Sequence, residues 1–378
     1  MKKILRLVLS FIASILSILL CSCAKVQSIS PQSAIKETPI ETTTLVSNDS
    51  VVFQTEFGTS VIDSVVSDIK SAKASAEVSN TLQGQTKETE LSTTATPEPA
   101  LPIRTQNGIE ICIEDSDFQI SKNSIKKLNS IYTTYSGTNI AWGLYSLKDD
   151  SYISFNKDTE FTSCSTIKVV YSLYCLEKVK EGKASLDDVL VYDKTKHHYN
   201  STTASKSTIA KLGRSKFTLK EVIYYTLYVS DNDAYMMLLY YFGFDDFNDY
   251  VASLGSTTEL SSSMLYGHAT VENRSKEWKQ IYSFYNEDDE VSDFFKTTLL
   301  DAKYGYIEEG LASLGYNTAH KSGWSNKYGA AHDCAIVYSE NGEYLMIILT
   351  QKYNSKPQSD LVKKLAPVLD EIWSNSNC

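Results

Sequence analysis

Histidine and closely spaced cysteine are scarce in this chain. Its 378 residues include five His, of which only His197 and His198 are adjacent. The seven Cys show no CxxC spacing, and no His/Cys cluster is spaced like a metal site, so we expect neither metal nor cofactor. Beyond the N-terminal segment lie Cys112, Cys164, Cys175, Cys334 and Cys378. Because this number is odd, the sequence leaves their disulfide pairing open.

Positive charge is also in short supply. The chain has 36 Lys and Arg against 46 Asp and Glu, a formal net charge of −10. Proteins that bind nucleic acid need basic patches to neutralise phosphates, so we do not expect a nucleic-acid partner. Otherwise this charge indicates only a soluble surface.

The N-terminus lacks an apolar run long enough to span a membrane. A basic stretch precedes the apolar residues 7–20, a run shorter than the roughly 20 residues of a membrane helix. The run ends in Leu20-Cys21-Ser22-Cys23, which is similar to a bacterial lipobox with Cys23 as the lipidated residue. We expect residues 1–23 to be a signal peptide. The protein would be exported and held as a lipoprotein on the outer face of the bacterial cell membrane. The alternatives are an ordinary secretory signal and an uncleaved anchor.

Aromatic residues are nearly absent from 24–108, where Phe53 and Phe57 are the only two. This Ser/Thr-rich stretch cannot bury enough apolar surface to offset chain entropy. We predict a disordered tether over 24–108. Residues 109–378 are dense in Tyr, Leu and Ile and are predicted to form one folded domain.

Hydrophobic periodicity places strands at both ends of this domain and helices in its middle. The predicted strands cover 139–147, 151–155, 317–321, 330–338 and 344–351, and the predicted helices cover 122–134, 165–181, 218–229, 233–242, 245–254, 271–286, 289–300 and 359–373. The pattern predicts an α+β fold, with an antiparallel five-stranded sheet flanked by helices and an all-α subdomain.

Three short segments carry the chemistry: Ser165-Thr166-Ile167-Lys168, Ser230-Asp231-Asn232 and Lys321-Ser322-Gly323. Together they supply a nucleophilic hydroxyl, two lysines to move its proton and hold an anion, and a second hydroxyl as a relay. Each segment also has a structural alternative: a helix cap with a solvated lysine, a cap pair between helices, or a strand that ends in a turn. All three in this order, each at a suitable element, indicate a serine acyl-transfer enzyme that needs no histidine.

The first segment supplies the nucleophile and its base. Ser165 needs a base, and Lys168 lies three residues later on the same face of a predicted helix. Desolvation and the charge of Lys321 would depress the pKa of Lys168. The backbone N–H groups of Ser165, at the helix start, and of Trp324 are the expected oxyanion donors.

The other two segments supply the relay and the substrate contacts. Ser230 could pass a proton to a leaving nitrogen. Lys321 and Ser322 could hold a substrate carboxylate, and Gly323 would let the substrate approach the strand closely.

In their local contexts the segments resemble the penicillin-recognising serine enzymes, and most closely the catalytic domain of class A β-lactamases. The similar stretches are Phe161–Lys168, with a Cys directly before the serine, Val229–Ala234 and Ala319–Trp324. The resemblance covers about 120–378. It implies a sheet flanked by helices, an all-α lobe and a cleft between them.

The resemblance also implies a role for each matching residue. Ser165 would be acylated, Lys168 would be its base or relay, and Ser230 would shuttle protons. Asn232 would contact the substrate amide, and Lys321 with Ser322 would bind the substrate carboxylate.

One departure from the family concerns release of the acyl group. Class A β-lactamases carry a Glu, with an Asn four residues later, on a loop between the second and third motifs. The matching stretch 255–267 is shorter and lacks that pair, with Glu259 as its only acid and Ser263 where the Asn would stand. Glu259 is therefore the candidate deacylation base. Otherwise the loop is structural only.

Three functions stay open at this stage. The first is hydrolysis of a β-lactam through an acyl-serine intermediate. The second is a penicillin-binding D,D-carboxypeptidase or endopeptidase that acts on peptidoglycan stem peptides. The third is a non-catalytic cell-wall sensor or binding module. The expected partners are a small β-lactam or a D-alanyl peptide and, through the lipid anchor, a membrane; we expect a monomer.

Overall fold

The computed structural model of the chain describes residues 101–199 and 207–377. The predicted signal peptide, the candidate lipidation site Cys23 and the predicted tether as far as residue 100 lie outside the described residues. Those expectations stay predictions.

A seven-stranded antiparallel sheet forms the centre of the domain, in the order β1-β2-β4-β3-β11-β10-β9. Its strands are β1 (Ile103–Gln106), β2 (Ile109–Cys112), β3 (Asn139–Ser146), β4 (Tyr152–Phe155), β9 (Asn317–Ser325), β10 (Ala330–Ser339) and β11 (Gly342–Gln351). Two small ribbons pair β5 (Phe161–Thr162) with β8 (His268–Ala269) and β6 (Val189–Val191) with β7 (Lys216–Thr218). The predicted fold class is confirmed, although the sheet has two strands more than expected.

The two extra strands form a hairpin at one edge of the sheet. Asn107 and Gly108 connect β1 to β2, and both have positive φ, as a two-residue hairpin turn requires. The predicted tether 24–108 extends too far toward the C-terminus, because β1 already begins at Ile103. Composition could not show this, because β1 is held by backbone pairing and by Arg104, which donates to the carbonyls of three residues in 115–118.

All the helices predicted from periodicity are present, with ends displaced by a residue or two. The helices of the described ranges are α1 (Lys122–Thr134), α2 (Ile167–Lys180), α3 (Lys194–His197), α4 (Thr208–Lys211), α5 (Leu219–Tyr228), α6 (Asn232–Phe242), α7 (Asp245–Ser253), α8 (Val271–Tyr285), α9 (Glu290–Leu300), α10 (Tyr306–Leu311) and α11 (Ser359–Ser374). Thr218 and Glu221 form the capping box predicted for α5. Within these ranges no helix combines the length and apolar character needed to cross a membrane.

The sheet separates two apolar cores. Alternate residues of β11 face opposite sides, so that Leu345 and Ile347 join one core while Met346 and Ile348 join the other. The first core is completed by α2, α5, α6 and α8, and the second by α1, α10 and α11. The residues of the three motifs lie on or beside the elements of the first core.

Candidate active site

Ser165 lies in a single 3₁₀ turn, Cys164–Thr166, directly before α2. Cys164 has a φ of 50°, a left-handed conformation that is uncommon for a residue with a side chain. Such strain persists only where the surroundings hold it, and it is often found next to reacting groups. Ser165 is half-buried, whereas Ser163 and Thr166 are buried on either side of it.

A buried arginine donates hydrogen bonds to residues on both sides of Ser165. Arg274 on α8 donates through Nη2 to Ser163 Oγ (2.7 Å) and through Nε to Thr166 Oγ1 (3.3 Å). Its charge is compensated by Glu277, and both side chains are fully buried. Because a buried charge is costly unless it is paired, this ion pair stabilises Arg274 in its contact with Ser163 and Thr166. Sequence reasoning did not single out either residue.

Two buried lysines converge on Ser230. Lys168 Nζ donates to the Ser230 carbonyl at 2.7 Å and lies 3.4 Å from Ser230 Oγ. Lys321 Nζ reaches the same Oγ at 2.9 Å. The structure thus brings the predicted relay hydroxyl between the two amines, although the three residues are far apart in sequence. Ser230 adopts a left-handed φ of 55°, the second such residue among the motifs.

Burial sets the protonation of these amines. Desolvation lowers the pKa of Lys168 well below its ordinary value, and the neighbouring charge of Lys321 lowers it further. Burial also lowers the pKa of Lys321 to about 8, against an opposing contribution from Asp333. Both amines therefore lose a proton far more readily than an exposed lysine.

A neutral Lys168 would be equipped to act as a base. A neutral amine has two N–H groups and one lone pair, and Lys168 has two short acceptors, the Ser230 carbonyl and Asn232 Oδ1 at 2.6 Å. Its lone pair is then left for a proton. No hydrogen bond joins Lys168 Nζ to Ser165 Oγ among the residues described. In substrate-free sites such bonds are often long and tighten when substrate binds.

The acids around the second motif have structural partners. Asp231 caps α6 and also accepts from the backbone of Thr208. Asp233 accepts from Tyr192 Oη at 2.7 Å and from the Tyr199 N–H at 2.9 Å. These bonds tie two neighbouring segments to the motif and account for the burial of both carboxylates.

The third motif lies on β9, at the edge of the sheet. A Cβ on Gly323 would lie 2.7 Å from the Ser165 nitrogen, so only glycine lets the strand approach Ser165 this closely. Ser322 is buried, and its carbonyl accepts from Lys321 Nζ at 2.8 Å. Trp324 follows with 43% of its surface exposed. The oxyanion role of the Trp324 N–H and the carboxylate-binding role of Ser322 stay predictions.

The carboxyl group of Asp333 interacts electrostatically with Lys321. Asp333 on β10 is fully buried, and burial raises its pKa to about 7. One of its oxygens accepts from the backbone N–H groups of Tyr306 and Ile307, at the start of α10. Burial and the charge of Lys321 lower the pKa of the adjacent His320 to about 4, so this imidazole is neutral at pH 7.

The loop 255–267 does not bring its acid to the cluster. The side chain of Glu259 is exposed, and among the described residues it makes no hydrogen bond or ion pair with Ser165, Lys168 or Asn232. A phenol takes part instead, because Tyr266 Oη donates to Asn232 Oδ1 at 3.0 Å. Sequence reasoning missed Tyr266, since nothing in the local pattern separates it from the other tyrosines, 25 in all.

The remaining titratable groups give no sign of a metal centre. In the parts of the chain that the structure describes, no three His, Cys, Asp or Glu side chains are grouped to hold a metal ion. Cys112, Cys164, Cys175 and Cys334 are buried free thiols. Burial raises the pKa of each of them.

A family model described as the beta-lactamase enzyme family matches residues 123–373, which include all three motifs. The chain belongs to this family. It is therefore a hydrolase of the superfamily that unites serine β-lactamases and penicillin-binding proteins, as the motifs predicted. Comparison with curated proteins finds no match.

Solved structures with a similar fold include a β-lactamase from Chitinophaga pinensis, with 22% identity and a TM-score of 0.57, covering 67% of this chain and 99% of that one. A β-lactamase from Sphaerobacter thermophilus has 17% identity and a TM-score of 0.57, with 66% and 96% covered. A variant of PBP-A, solved as an acyl-enzyme complex with penicillin G, has 17% identity and a TM-score of 0.57, with 67% and 96% covered. At these identities the likeness shows the fold alone.

Proposed function

We propose that this family member hydrolyses the amide of a β-lactam through an acyl-Ser165 intermediate, as class A β-lactamases do. The observation that carries the proposal is the meeting of two buried lysines at Ser230 Oγ, beside the strained turn that holds Ser165. A structural cap or a solvated lysine would not require two amines of lowered pKa to share one hydroxyl.

This geometry supports a sequence of proton transfers for acylation. Neutral Lys168 accepts the proton of Ser165 Oγ while that oxygen attacks the amide carbonyl. The N–H groups of Ser165 and Trp324 would hold the oxyanion. Ser230, between Lys168 and Lys321, passes its proton to the leaving nitrogen as the C–N bond breaks and takes the proton from Lys168, which becomes neutral again. Lys321 and Ser322 would bind the substrate carboxylate, and Asn232 would contact the substrate amide.

A second candidate function is a penicillin-binding D,D-carboxypeptidase or endopeptidase that acts on peptidoglycan stem peptides. The loop favours it, because Glu259 is exposed and a phenol, not a carboxylate, contacts Asn232. Without a base near the ester, water would attack the β-lactam acyl-enzyme slowly. The β-lactam would then act as an inhibitor that stays on Ser165.

A chromogenic cephalosporin time course, followed by intact-mass detection on the full chain, separates these functions. Steady turnover without a lingering adduct supports the β-lactamase. A single stoichiometric burst with a stable adduct on Ser165 supports the penicillin-binding enzyme. If wild type and Ser165→Ala both show neither turnover nor adduct, the non-catalytic binding module is left.

Ser172→Ala is the matched control for Ser165→Ala. Ser172 lies two turns further along α2 and is fully buried. Its hydroxyl has no hydrogen-bond partner among the described residues, so the substitution removes a serine without breaking such a bond. This variant should keep whichever behaviour the wild type shows, whereas Ser165→Ala should lose both turnover and adduct.

We further propose that the protein is a monomeric lipoprotein on the outer face of the membrane, anchored through Cys23. The Ser/Thr-rich stretch before β1 would let the domain reach the cell wall. Cys23→Ala should release the protein from the membrane fraction and abolish labelling by a fatty-acid analogue. Retention of both signals in the variant would contradict lipidation at this residue.

A further inference from the structure

Asn232 has a fixed side-chain orientation. Its Oδ1 accepts from Lys168 Nζ at 2.6 Å and from Tyr266 Oη at 3.0 Å, which uses both lone pairs of the amide oxygen. A flipped amide would turn its own N–H groups toward these two donors. The orientation with Oδ1 on Lys168 and Tyr266 therefore leaves the Nδ2 hydrogens for another acceptor. The described residues provide none.

The position of Tyr266 is set by the residues on either side of it. Tyr235 Oη donates to the Leu265 carbonyl at 2.9 Å. The N–H of Ser163, two residues before the nucleophile, donates to the Gly267 carbonyl at 3.2 Å. The end of the loop is thus attached both to α6, which carries Asn232, and to the turn that carries Ser165. Tyr266 is held between these two parts of the site.

Aromatic rings also pack against Tyr266. The ring of Tyr266 lies 5.4 Å from the ring of Tyr235 and 5.5 Å, edge to face, from that of Tyr199. Lys168 Nζ is 5.7 Å from the Tyr235 ring centre and 6.0 Å from that of Tyr266. Burial raises the pKa of Tyr266 well above its ordinary value, so the phenol keeps its proton and stays a donor.

We propose that Tyr266 is a positioning residue for acylation, whose hydroxyl holds the Asn232 amide with its N–H groups available to the acylamino side chain of the substrate. This inference rests on the proposed acylation of Ser165. It gives the loop 255–267 a role in substrate choice that does not depend on a carboxylate. It also predicts a selective defect: substrates with an acylamino side chain should suffer more than those without one.

The test compares two penams on the full-length protein, by intact mass and stopped-flow acylation. One is benzylpenicillin, and the other is 6-aminopenicillanic acid, which lacks the side-chain amide. Tyr266→Phe should slow acylation by benzylpenicillin about three- to tenfold, the usual range for loss of one hydrogen bond. Acylation by 6-aminopenicillanic acid should change less than twofold. A general packing defect would slow both alike, and equal slowing would overturn the inference.

Tyr344→Phe is the matched control. Tyr344 is fully buried, whereas Tyr266 is half-buried. The Tyr344 hydroxyl donates to Asp370 Oδ1 at 2.8 Å, but its ring packs in the core on the other face of the sheet. This variant loses a comparable bond and should keep the wild-type ratio of the two acylation rates. If Tyr344→Phe changes the ratio as much as Tyr266→Phe does, the selective role of Tyr266 is refuted.

A double variant separates the inference from the proposed function. If Tyr266 acts through Asn232, adding Tyr266→Phe to Asn232→Ala should slow benzylpenicillin no further. An additional loss in the double variant would overturn the inference while leaving the proposed function intact. Absence of acylation in wild type would overturn both. If Tyr266→Phe fails to fold, Tyr266→His is measured in its place, because it keeps a ring N–H donor. It should preserve the wild-type ratio of the two acylation rates, and a changed ratio would overturn the inference.

Discussion

The cluster of Ser165, Lys168, Ser230 and Lys321 differs from the loop 255–267 in where its ionisable groups lie. In the cluster, Lys168 and Lys321 are buried and have lowered pKa values, and both amines lie next to Ser230 Oγ. In the loop, the acid is exposed and the group that reaches the site is a protonated phenol. If the proposed function is correct, the comparison teaches that the groups for forming an acyl-enzyme and those for hydrolysing it can be separated. The cluster would supply the first set, and the exposed Glu259 does not supply the second.

Replacing Lys168, the proposed base, should have the largest effect on acylation. Lys168→Met removes the lone pair available to Ser165 Oγ, and we expect the acylation rate to fall by about 10²–10⁴-fold, the usual contribution of a general base. Burst kinetics with a fluorescent penicillin would measure it. Lys178→Met, near the other end of α2, removes a surface ion pair and should acylate at the wild-type rate. A loss below tenfold for Lys168→Met would show that Lys168 is not the base.

Crowding of the turn should have the next largest effect. In Gly323→Ala the new Cβ would lie 2.7 Å from the Ser165 nitrogen and 2.9 Å from that of Thr166, so the strand and the turn must separate. If the Ser165 N–H is an oxyanion donor, acylation should fall about 10²-fold or more. Gly315→Ala is the control, because its Cβ would meet nothing within 4 Å, although its positive φ of 71° carries some strain. Equal acylation by both variants would contradict the close approach.

The pH dependence of the acylation rate should reflect the protonation of both Lys168 and Lys321. Lys168 must be neutral to accept a proton, so acylation should rise with pH as this amine deprotonates. Lys321 must be charged to hold a carboxylate, so the rate should fall again above about pH 8, the pKa of Lys321. The Asp333 carboxylate raises the pKa of Lys321, and Asp333→Asn should therefore move this alkaline limb to lower pH. An alkaline limb that stays in place in Asp333→Asn would exclude Lys321 as its origin.

The smallest effect is expected in the loop. The Glu259 side chain is exposed, so Glu259→Gln should leave both acylation and release of the acyl group within about twofold of wild type, as for most surface changes. Intact mass measured over time after a single dose of penicillin follows the decay of the adduct. A tenfold longer adduct lifetime would instead identify Glu259 as the deacylation base and would remove the contrast between the two regions.

Local signals in the sequence pointed to the two lysines and the serine that the structure brings together at Ser230 Oγ. The spacing of Ser165 and Lys168, the capping box at Thr218 and the strand around Lys321 each depend on residues close together in the chain. The order of the elements then implied the fold, because strands at both ends must pair across the helical middle.

The residues that were missed depend on contacts between distant segments. Arg274 lies more than a hundred residues from the serine turn it supports, and an Arg-x-x-Glu pair on a helix ordinarily indicates an exposed ion pair. Tyr266 reaches Asn232 from a loop with no periodicity. The acid Glu259 attracted attention because of its type, yet exposure and contacts decide what a carboxylate can do.

The buried pair beneath the serine turn has a consequence for the dynamics of the protein. Arg274 bonds the turn, Glu277 bonds Arg274, and Ser256 at the start of the loop donates to Glu277 at 2.8 Å. Opening either segment would expose a buried charge, so the two should fluctuate as one cooperative unit. Amide hydrogens of the serine turn and of the loop start would then exchange with solvent at the same free energy of opening, so that Ser165 and the loop share a common motion.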